Sequence, residues 1–195
     1  MDDLEISKAP RVLEAIFRDT ESIGFKMGSE RQTGSLLRTL AASKTGCRFL
    51  ELGTGTGIGT AWLLAGMDHQ SRLDSVDNDP RAMDIARRHL GSDSRVTFHL
   101  KDGAEFLGGR RPESYDFIYA DTWPGKFTHL DVTLSLLRVG GLYVVDDLLP
   151  QATWPEDHAP KVPRLISDLE NRGDLVCTKL AWASGLMVVT RVRAG

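Results

Sequence analysis

Carboxylates recur where predicted strands give out: Glu51, Asp77, Asp121 and the adjacent pair Asp146 and Asp147. In an open parallel sheet, ligands bind outside the carboxyl ends of the strands, so these acids should face one crevice. A purely structural chain has little reason to line up repelling carboxylates along one edge. Beside the first acid lies a run of glycines at 53, 55, 57 and 59. Glycine there lets the backbone turn sharply and lets a ligand lie against it without a Cβ in the way.

The spacing of that loop selects the ligand. A dinucleotide fingerprint needs G-x-G-x-x-G, but counting from Gly53 puts Ile58 at the last position, and counting from Gly55 puts Thr60 there. Neither frame fits, and no lysine follows any of these glycines as a phosphate loop requires. What remains is E-x-G-x-G-x-G, with an acid just ahead of the loop and no basic residue near it. That pattern suits a ligand bearing a cationic group better than a pyrophosphate.

The elements that must position these residues follow from periodicity. Phe49–Leu52 is a short buried strand, and Ala61–Ala65 begins a helix. Arg72–Asp77 reads as a second strand. Its terminal acid lies 24 residues past Gly53, where the second strand of a βαβ unit delivers a carboxylate to a ribose diol. Asp79 and Pro80 read as an N-cap and first helical residue, opening a helix to Leu90. Val96–Leu100 is a third strand, in which His99 alternates with apolar neighbours as a strand residue. Lys101, Asp102 and Gly103 follow it, and Asp102 is placed to cap the short helix after it. Tyr115–Asp121 is a fourth strand that stops at Thr122–Gly125. The next helix carries Phe127, Leu130, Leu134 and Leu137 on one stripe. Gly140 and Gly141 then turn the chain into Leu142–Asp147, a fifth strand.

Ahead of the sheet, Val12, Leu13, Ile16 and Phe17 mark one helix within 10–23, and Leu36, Leu37, Leu40 and Ala41 mark another within 33–43. The glycine-containing stretch between them includes Met27, Gly28 and Ser29. The segment 148–160 has three prolines and little periodicity, and loops of this length in compact domains are usually functional. Leu148, Trp154 and His158 are its candidates for a substrate wall. Another amphipathic helix carries Val162, Leu165, Ile166 and Leu169, and 174–180 with 185–192 form a closing hairpin turned at Ser184 and Gly185.

Length and charge set further bounds. The 195 residues suit one domain, expected as a helical cap over 1–45 and an α/β core over 46–195. A formal net charge of −3 gives no reason to expect nucleic acid, and the clusters Arg87 with Arg88, Arg110 with Arg111 and Arg191 with Arg193 are small and scattered. Cys47 and Cys177 stand apart, as free thiols of a reducing compartment do. The acidic opening Met1–Glu5 lacks an apolar leader and no run approaches membrane-spanning length. A cytoplasmic protein with no membrane partner is expected.

The glycine motif, the strand-end acids and the terminal hairpin together resemble the class I S-adenosylmethionine-dependent methyltransferases, and the resemblance covers nearly the whole chain. It implies a Rossmann-like α/β fold: a seven-stranded, mostly parallel sheet in the order 3-2-1-4-5-7-6, strand 7 antiparallel, with helices on both faces. Within that class the chain is similar to the catechol O-methyltransferase group and its small bacterial relatives. Met27, Gly28 and Ser29 before a leucine-rich helix, Asp121 and Trp123 after strand four, and the Asp146–Asp147 pair carry that similarity. S-adenosylmethionine is then the implied cofactor, and a small-molecule methyl acceptor and a homodimer are the implied partners. Implied cofactor contacts are Met27, Gly28, Ser29, Gly53, Thr54, Gly55, Gly57, Asn78 and Gly103. Glu51 and Asp121 would serve the methionine amino group, Asp77 the ribose and Asp102 the adenine.

In that group the acid after strand four and the pair after strand five hold a divalent cation. The cation binds the substrate hydroxyls and lowers their pKa. Asp121, Asp146 and Asp147 occupy the matching positions, and oxygen-only ligation suits Mg²⁺ or a similarly hard ion. Two departures stand against a full match. The group's lysine falls where this chain has Pro124, with Lys126 two residues on, and its glutamate near the closing hairpin is replaced by a small residue near Ala181. The alternative is a metal-free site with an aspartate such as Asp146, or His158, as base. Two rival functions are a cofactor-binding protein that works through partners and a methyltransferase acting on protein or nucleic acid.

Overall fold

The computed structural model describes residue 6 and residues 8–193. The acidic opening Met1–Glu5 falls outside them.

Two helices lead, α1 (Leu13–Ser22) and α2 (Arg31–Ala42), and then strands and helices alternate: β1 (Arg48–Leu52), α3 (Ile58–Gly66), β2 (Arg72–Asp77), α4 (Pro80–Leu90), β3 (Val96–Leu100), α5 (Gly103–Gly108), β4 (Tyr115–Ala120), α6 (Leu130–Leu136) and β5 (Leu137–Val145). Helix α7 (Lys161–Glu170) leads to the hairpin β6 (Leu175–Leu180) and β7 (Leu186–Arg191). The sheet runs β3-β2-β1-β4-β5-β7-β6, with β7 antiparallel to both neighbours and the other ladders parallel. This is the strand order and direction that the resemblance implies.

The central strands are buried on both faces, and their alternation divides the core in two. Phe49, Phe117 and Val144 join Trp62 and Leu63 of α3 and Leu13, Ile16, Leu37 and Ala41 of the leading helices. Their neighbours Leu50, Ile118 and Tyr143 join Phe106, Leu134, Leu165 and Leu169 from the helices of the other face. The leading helices are therefore part of the wall on one face of the sheet. Asp79 opens α4 as read, its side chain accepting from the backbone N–H of Arg81 and Ala82 with Pro80 at the first position.

One stretch differs from the expected pattern. The apolar stripe predicted from Phe127 to Leu137 is not one helix. Helix α6 spans only Leu130–Leu136; Phe127 lies in the turn before it, and Leu137 already pairs with Tyr115 as strand. The register shifts between Tyr115 and Phe117, and Gly140 there has φ +80°. A left-handed residue in mid-strand lets β5 start early and bulge outward before it rejoins β4 at Leu142.

Because β2 and β4 flank β1, the chain leaves β1 and β4 toward opposite faces of the sheet. A crevice opens between their carboxyl ends, as at the switch point of any doubly wound sheet. The candidate site lies there.

Candidate functional site

The glycine loop forms the floor of a first hollow of about 320 Å³, with Met27, Gly28 and Ser29 over it and Thr54, Asp77, Asn78 and Asp121 around it. Gly53 has φ +102°, and a Cβ there would come within 2.8 Å of the Asp121 carbonyl oxygen. Gly57 has φ +92° and abuts Ala86 of α4. Both the backbone conformation and the space exclude larger residues. The Asp77 carboxylate accepts from the Gly55 N–H at 2.7 Å and the Asp79 N–H at 2.9 Å, which ties the loop to the end of β2. Each oxygen thus has one N–H partner and further acceptor capacity, and Asp77 lines the hollow, as the acceptor of a vicinal diol must.

Glu51 sits beneath this floor. Fully buried, it accepts from Thr60 at 2.5 Å and Ser75 at 2.6 Å through one oxygen, while the other has no partner. That free oxygen lies under Gly59, which lines the hollow. Burial raises its pKa to about 7 against the pull of the two hydroxyls. Thr54, also buried, bonds Ser75 at 2.6 Å and completes the hydroxyl cluster.

A second hollow of about 240 Å³ continues past Asp77 and Asn78 to Asp102, Gly103 and Pro124. Here Asp102 caps α5: one carboxylate oxygen accepts from Ala104 N–H at 2.9 Å and Glu105 N–H at 3.1 Å. The side chain thus fills its cap role while lining the hollow.

The third hollow, about 330 Å³, opens on the other side of Ser29 and Asp121 and reaches the 148–160 segment. It brings together every catalytic and metal candidate: Asp121, Lys126, Asp146, Asp147 and His158. Tyr119 and Ser184 organise it. Tyr119 donates to Asp146 Oδ2 at 2.6 Å, Ser184 donates to Asp146 Oδ1, and the Asp147 N–H donates to Oδ1 at 2.8 Å. Ser29 stands 3.2 Å from the Tyr119 hydroxyl and donates to Asp121 Oδ2 at 3.2 Å. A continuous chain of hydrogen bonds therefore joins the acids of β4 and β5 through the segment ahead of α2.

Electrostatics follow from that enclosure. Burial, then repulsion from Asp146 and Asp147, holds the Asp121 carboxyl well above the usual carboxylate range. Burial also raises Asp146, against the hydrogen bonds from Ser184 and Tyr119. Glu30 at the rim is raised by partial burial and by the same two aspartates. Lys126 is 1% exposed and its Nζ donates to the Asp146 carbonyl at 3.1 Å. His158, also buried, stacks on Trp154 with centroids 4.2 Å apart, meets Phe127 edge-on and faces the Asp147 carbonyl through Nε2 at 3.2 Å. Burial lowers its pKa, so a neutral ring is favoured.

The three aspartates share a wall without forming a ligand set. Among the described residues no group of three His, Cys, Asp or Glu side chains is placed to grip one metal ion. At Asp146, Oδ1 accepts from Ser184 and the Asp147 N–H and Oδ2 accepts from Tyr119, so the side chain is turned to partners within the protein. The metal expected for Asp121, Asp146 and Asp147 does not fit this arrangement of donors.

Two residues of the site were not singled out by sequence. Tyr119 reads as one more apolar strand position and Ser184 as a turn residue. Only Tyr119 left a signal, a hydroxyl on a strand otherwise buried at both faces.

Comparison with known proteins places this geometry. Residues 50–148, just over half of the chain, match the family described as "Methyltransferase domain". A protein of Mycolicibacterium vanbaalenii named for O-methyltransferase activity is 34% identical over 118 residues, covering 57% of this chain and 52% of its own length. The chain thus spans about half the length of the curated relatives it matches. Among solved structures, the O-methyltransferase from Bacillus cereus in complex with SAH superposes with a TM-score of 0.81 at 20% identity, covering 92% of this chain and 90% of that one. The O-methyltransferase TomG from Streptomyces achromogenes, in complex with SAM and involved in tomaymycin synthesis, gives 0.80 at 20% identity over 94% and 90%. Among the described residues no helix is long and apolar enough to cross a membrane. With the glycine loop, the sheet order and this match in agreement, the chain belongs to the methyltransferase domain family.

Proposed function

We propose that the chain transfers a methyl group from S-adenosylmethionine to an oxygen of a small molecule. One observation carries the reading: the hollow over the glycine loop and the hollow holding Lys126 and Asp146 share Met27, Gly28, Ser29, Asp121 and Thr122. A cofactor along the first and an acceptor in the second would meet across that shared wall. The neighbours' bound SAM and SAH support the cofactor half of this reading.

In this reading Asp77 takes the ribose diol and Asp102 the adenine amino group. Asp121 takes the methionine amino group at the shared wall. Glu51 acts from beneath the loop, its free oxygen favouring positive charge above Gly59. The acceptor oxygen attacks the methyl carbon in line as the carbon–sulfur bond breaks, and the bond's electron pair stays on sulfur. Alignment of the two reactants supplies much of the rate, up to about 7–11 kcal/mol in well-oriented systems. A hollow of about 330 Å³ closed by the 148–160 segment suits a small acceptor better than a polymer. A divalent cation on Asp121, Asp146 and Asp147 is the finer reading that the resemblance implies; among the described residues these side chains do not form a three-ligand set.

Titration calorimetry with S-adenosylhomocysteine tests the cofactor, with micromolar binding expected and no heat fatal to the reading. A methyl-transfer screen over phenols, hydroxy acids and amines, with and without EDTA, then tests the acceptor. Turnover confined to amines would overturn the oxygen assignment.

A further inference from the structure

We propose that Lys126 is the resident cation of the acceptor hollow, holding the acceptor oxygen as its anion where a metal ion would otherwise be needed. This rests on the methyltransferase reading and goes beyond it in assigning the activating charge to a side chain.

The local chain is shaped to deliver that charge. Lys126 lies five residues past Asp121, and the turn between them is tightly tied. The N–H groups of Lys126, Phe127 and Thr128 all point to the Trp123 carbonyl, at 3.0, 2.9 and 3.1 Å, and Gly125 N–H bonds the Thr128 carbonyl at 2.7 Å. Gly125 has φ +92°, and a Cβ there would come within 2.3 Å of Leu52 Cδ1, so the turn lies flat against β1. Tyr143 of β5 pins it by donating to the Gly125 carbonyl at 2.5 Å. The lysine displaced from the usual sequence position is thus folded back into the hollow.

Once there, its ammonium has hydrogen-bonding capacity to spare. Only the Asp146 carbonyl accepts from it, and it forms no ion pair among the described residues. An ammonium has three N–H donors, so two remain for a ligand in the hollow that Lys126 lines. The further partners of Lys126 are the Phe127 ring, 5.2 Å from Nζ, and the field of Asp121; none is an anion in direct contact, and a ligand oxyanion would supply one. Among the described residues the carboxylates form no competing three-ligand cation site, and both oxygens of Asp146 already accept hydrogen bonds within the protein. The chemistry then balances without a metal. The acceptor hydroxyl releases its proton to solvent, and the oxyanion is held by Lys126. Its lone pair forms the new oxygen–carbon bond, the carbon–sulfur bond breaks, and its electron pair leaves on a neutral thioether.

The test uses 4-nitrocatechol, whose ionisation is visible by absorbance, with protein saturated in S-adenosylhomocysteine and treated with EDTA. With wild-type protein the bound probe should ionise at a pH at least one unit below its free value. Lys126→Met should abolish the shift, Lys126→Arg should keep part of it, and added Mg²⁺ should change none of these results. In parallel, the electron paramagnetic resonance signal of Mn²⁺ should stay that of the free ion. A wild-type probe that keeps its free ionisation, a shift that appears only with Mg²⁺, or stoichiometric micromolar uptake of Mn²⁺ overturns the proposal, even if the Lys126→Met protein fails to fold. A shift that survives Lys126→Met also overturns it. Absence of S-adenosylhomocysteine binding to the wild type strikes instead at the methyltransferase reading.

Discussion

The two halves of the crevice are built by different means. The half over the glycine loop is made from sequence neighbours and backbone. Gly53–Gly57, Asp77 and Asp102 lie at strand ends, and their carboxylates are fixed by N–H groups two or three residues away or one strand over. The acceptor half is made from side chains drawn from four places: Ser29 ahead of α2, Tyr119 in β4, Asp146 after β5 and Ser184 in the hairpin. A local backbone cradle suits a ligand whose shape never varies. A wall of distant side chains can change with the acceptor while the sheet stays the same. Substitutions in the first half should therefore move cofactor affinity, and those in the second should move turnover.

The largest effect should follow Asp77→Ala. It removes the carboxylate that would face the ribose and the acceptor of the Gly55 N–H together. Each charge-assisted bond is worth about 1.5–3 kcal/mol, so S-adenosylhomocysteine affinity should fall about 100-fold or more by calorimetry. An unchanged affinity would break the comparison at its first half.

Next is Glu51, which links cofactor affinity to stability. Its pKa is raised from the ordinary 4.5 to about 7 in the folded protein, chiefly by burial. The folded state therefore holds a proton that the unfolded state releases between those values. The ligand-free protein should lose stability as pH rises from about 4.5 to 7, with the full cost present above pH 7. The shift corresponds to an upper limit of about 3 kcal/mol. Glu51→Gln should raise Tm at pH 8 by several degrees, leave it nearly unchanged at pH 5 and weaken S-adenosylmethionine binding. Equal Tm changes at both pH values would remove the linkage. Asp121 and Asp146 are raised in the same direction, so this substitution should flatten only part of the pH dependence.

A smaller effect, confined to turnover, should follow Tyr119→Phe. The ring packs in the core and stays, while the hydroxyl that reaches Asp146 and Ser29 is lost. With any acceptor found in the screen, kcat should drop about tenfold, the size of one net hydrogen bond to a charged group. S-adenosylhomocysteine affinity should stay within about twofold. A change in affinity as large as the change in kcat would show that the two halves are not separable.

The same division explains what the sequence revealed. Strand ends, the glycine turn and the Asp79–Pro80 helix start are local events. Residues near in sequence cause them, so Arg72–Asp77, Pro80–Leu90 and Val96–Leu100 are readable to the residue. The sheet order followed from resemblance, and it agrees with the ladders. Lys126 was visible only as a lysine out of place, because the turn that returns it depends on Tyr143 and Leu52 in two other strands. Ser184 looked like a turn residue, which it is; nothing in its neighbours signals a bond to a carboxylate 38 residues away in sequence. The stripe from Phe127 to Leu137 misled for a related reason. Helical spacing was present, but pairing of Leu137 with Tyr115 took that residue into the sheet. The metal assignment followed from acids at matching positions, and position alone does not reveal the bonds from Tyr119 and Ser184 to Asp146.

The smallest expected change tests the first half most finely. Asp102 caps α5 through one oxygen, and the second hollow lies against the same residue. Asparagine caps a helix about as well as aspartate, so Asp102→Asn keeps the bonds to Ala104 and Glu105 while removing the charge offered to a ligand amino group. Alanine removes both. If Asp102 serves only α5, Asn should be silent, and Ala should cost about 1 kcal/mol of stability with little change in affinity. If it also receives the adenine, Asn should weaken S-adenosylhomocysteine binding about threefold at unchanged Tm. Ala should then weaken binding further and lower Tm as well. Paired melting curves and calorimetry on the two variants separate a residue that only shapes the backbone cradle from one that also reads the ligand.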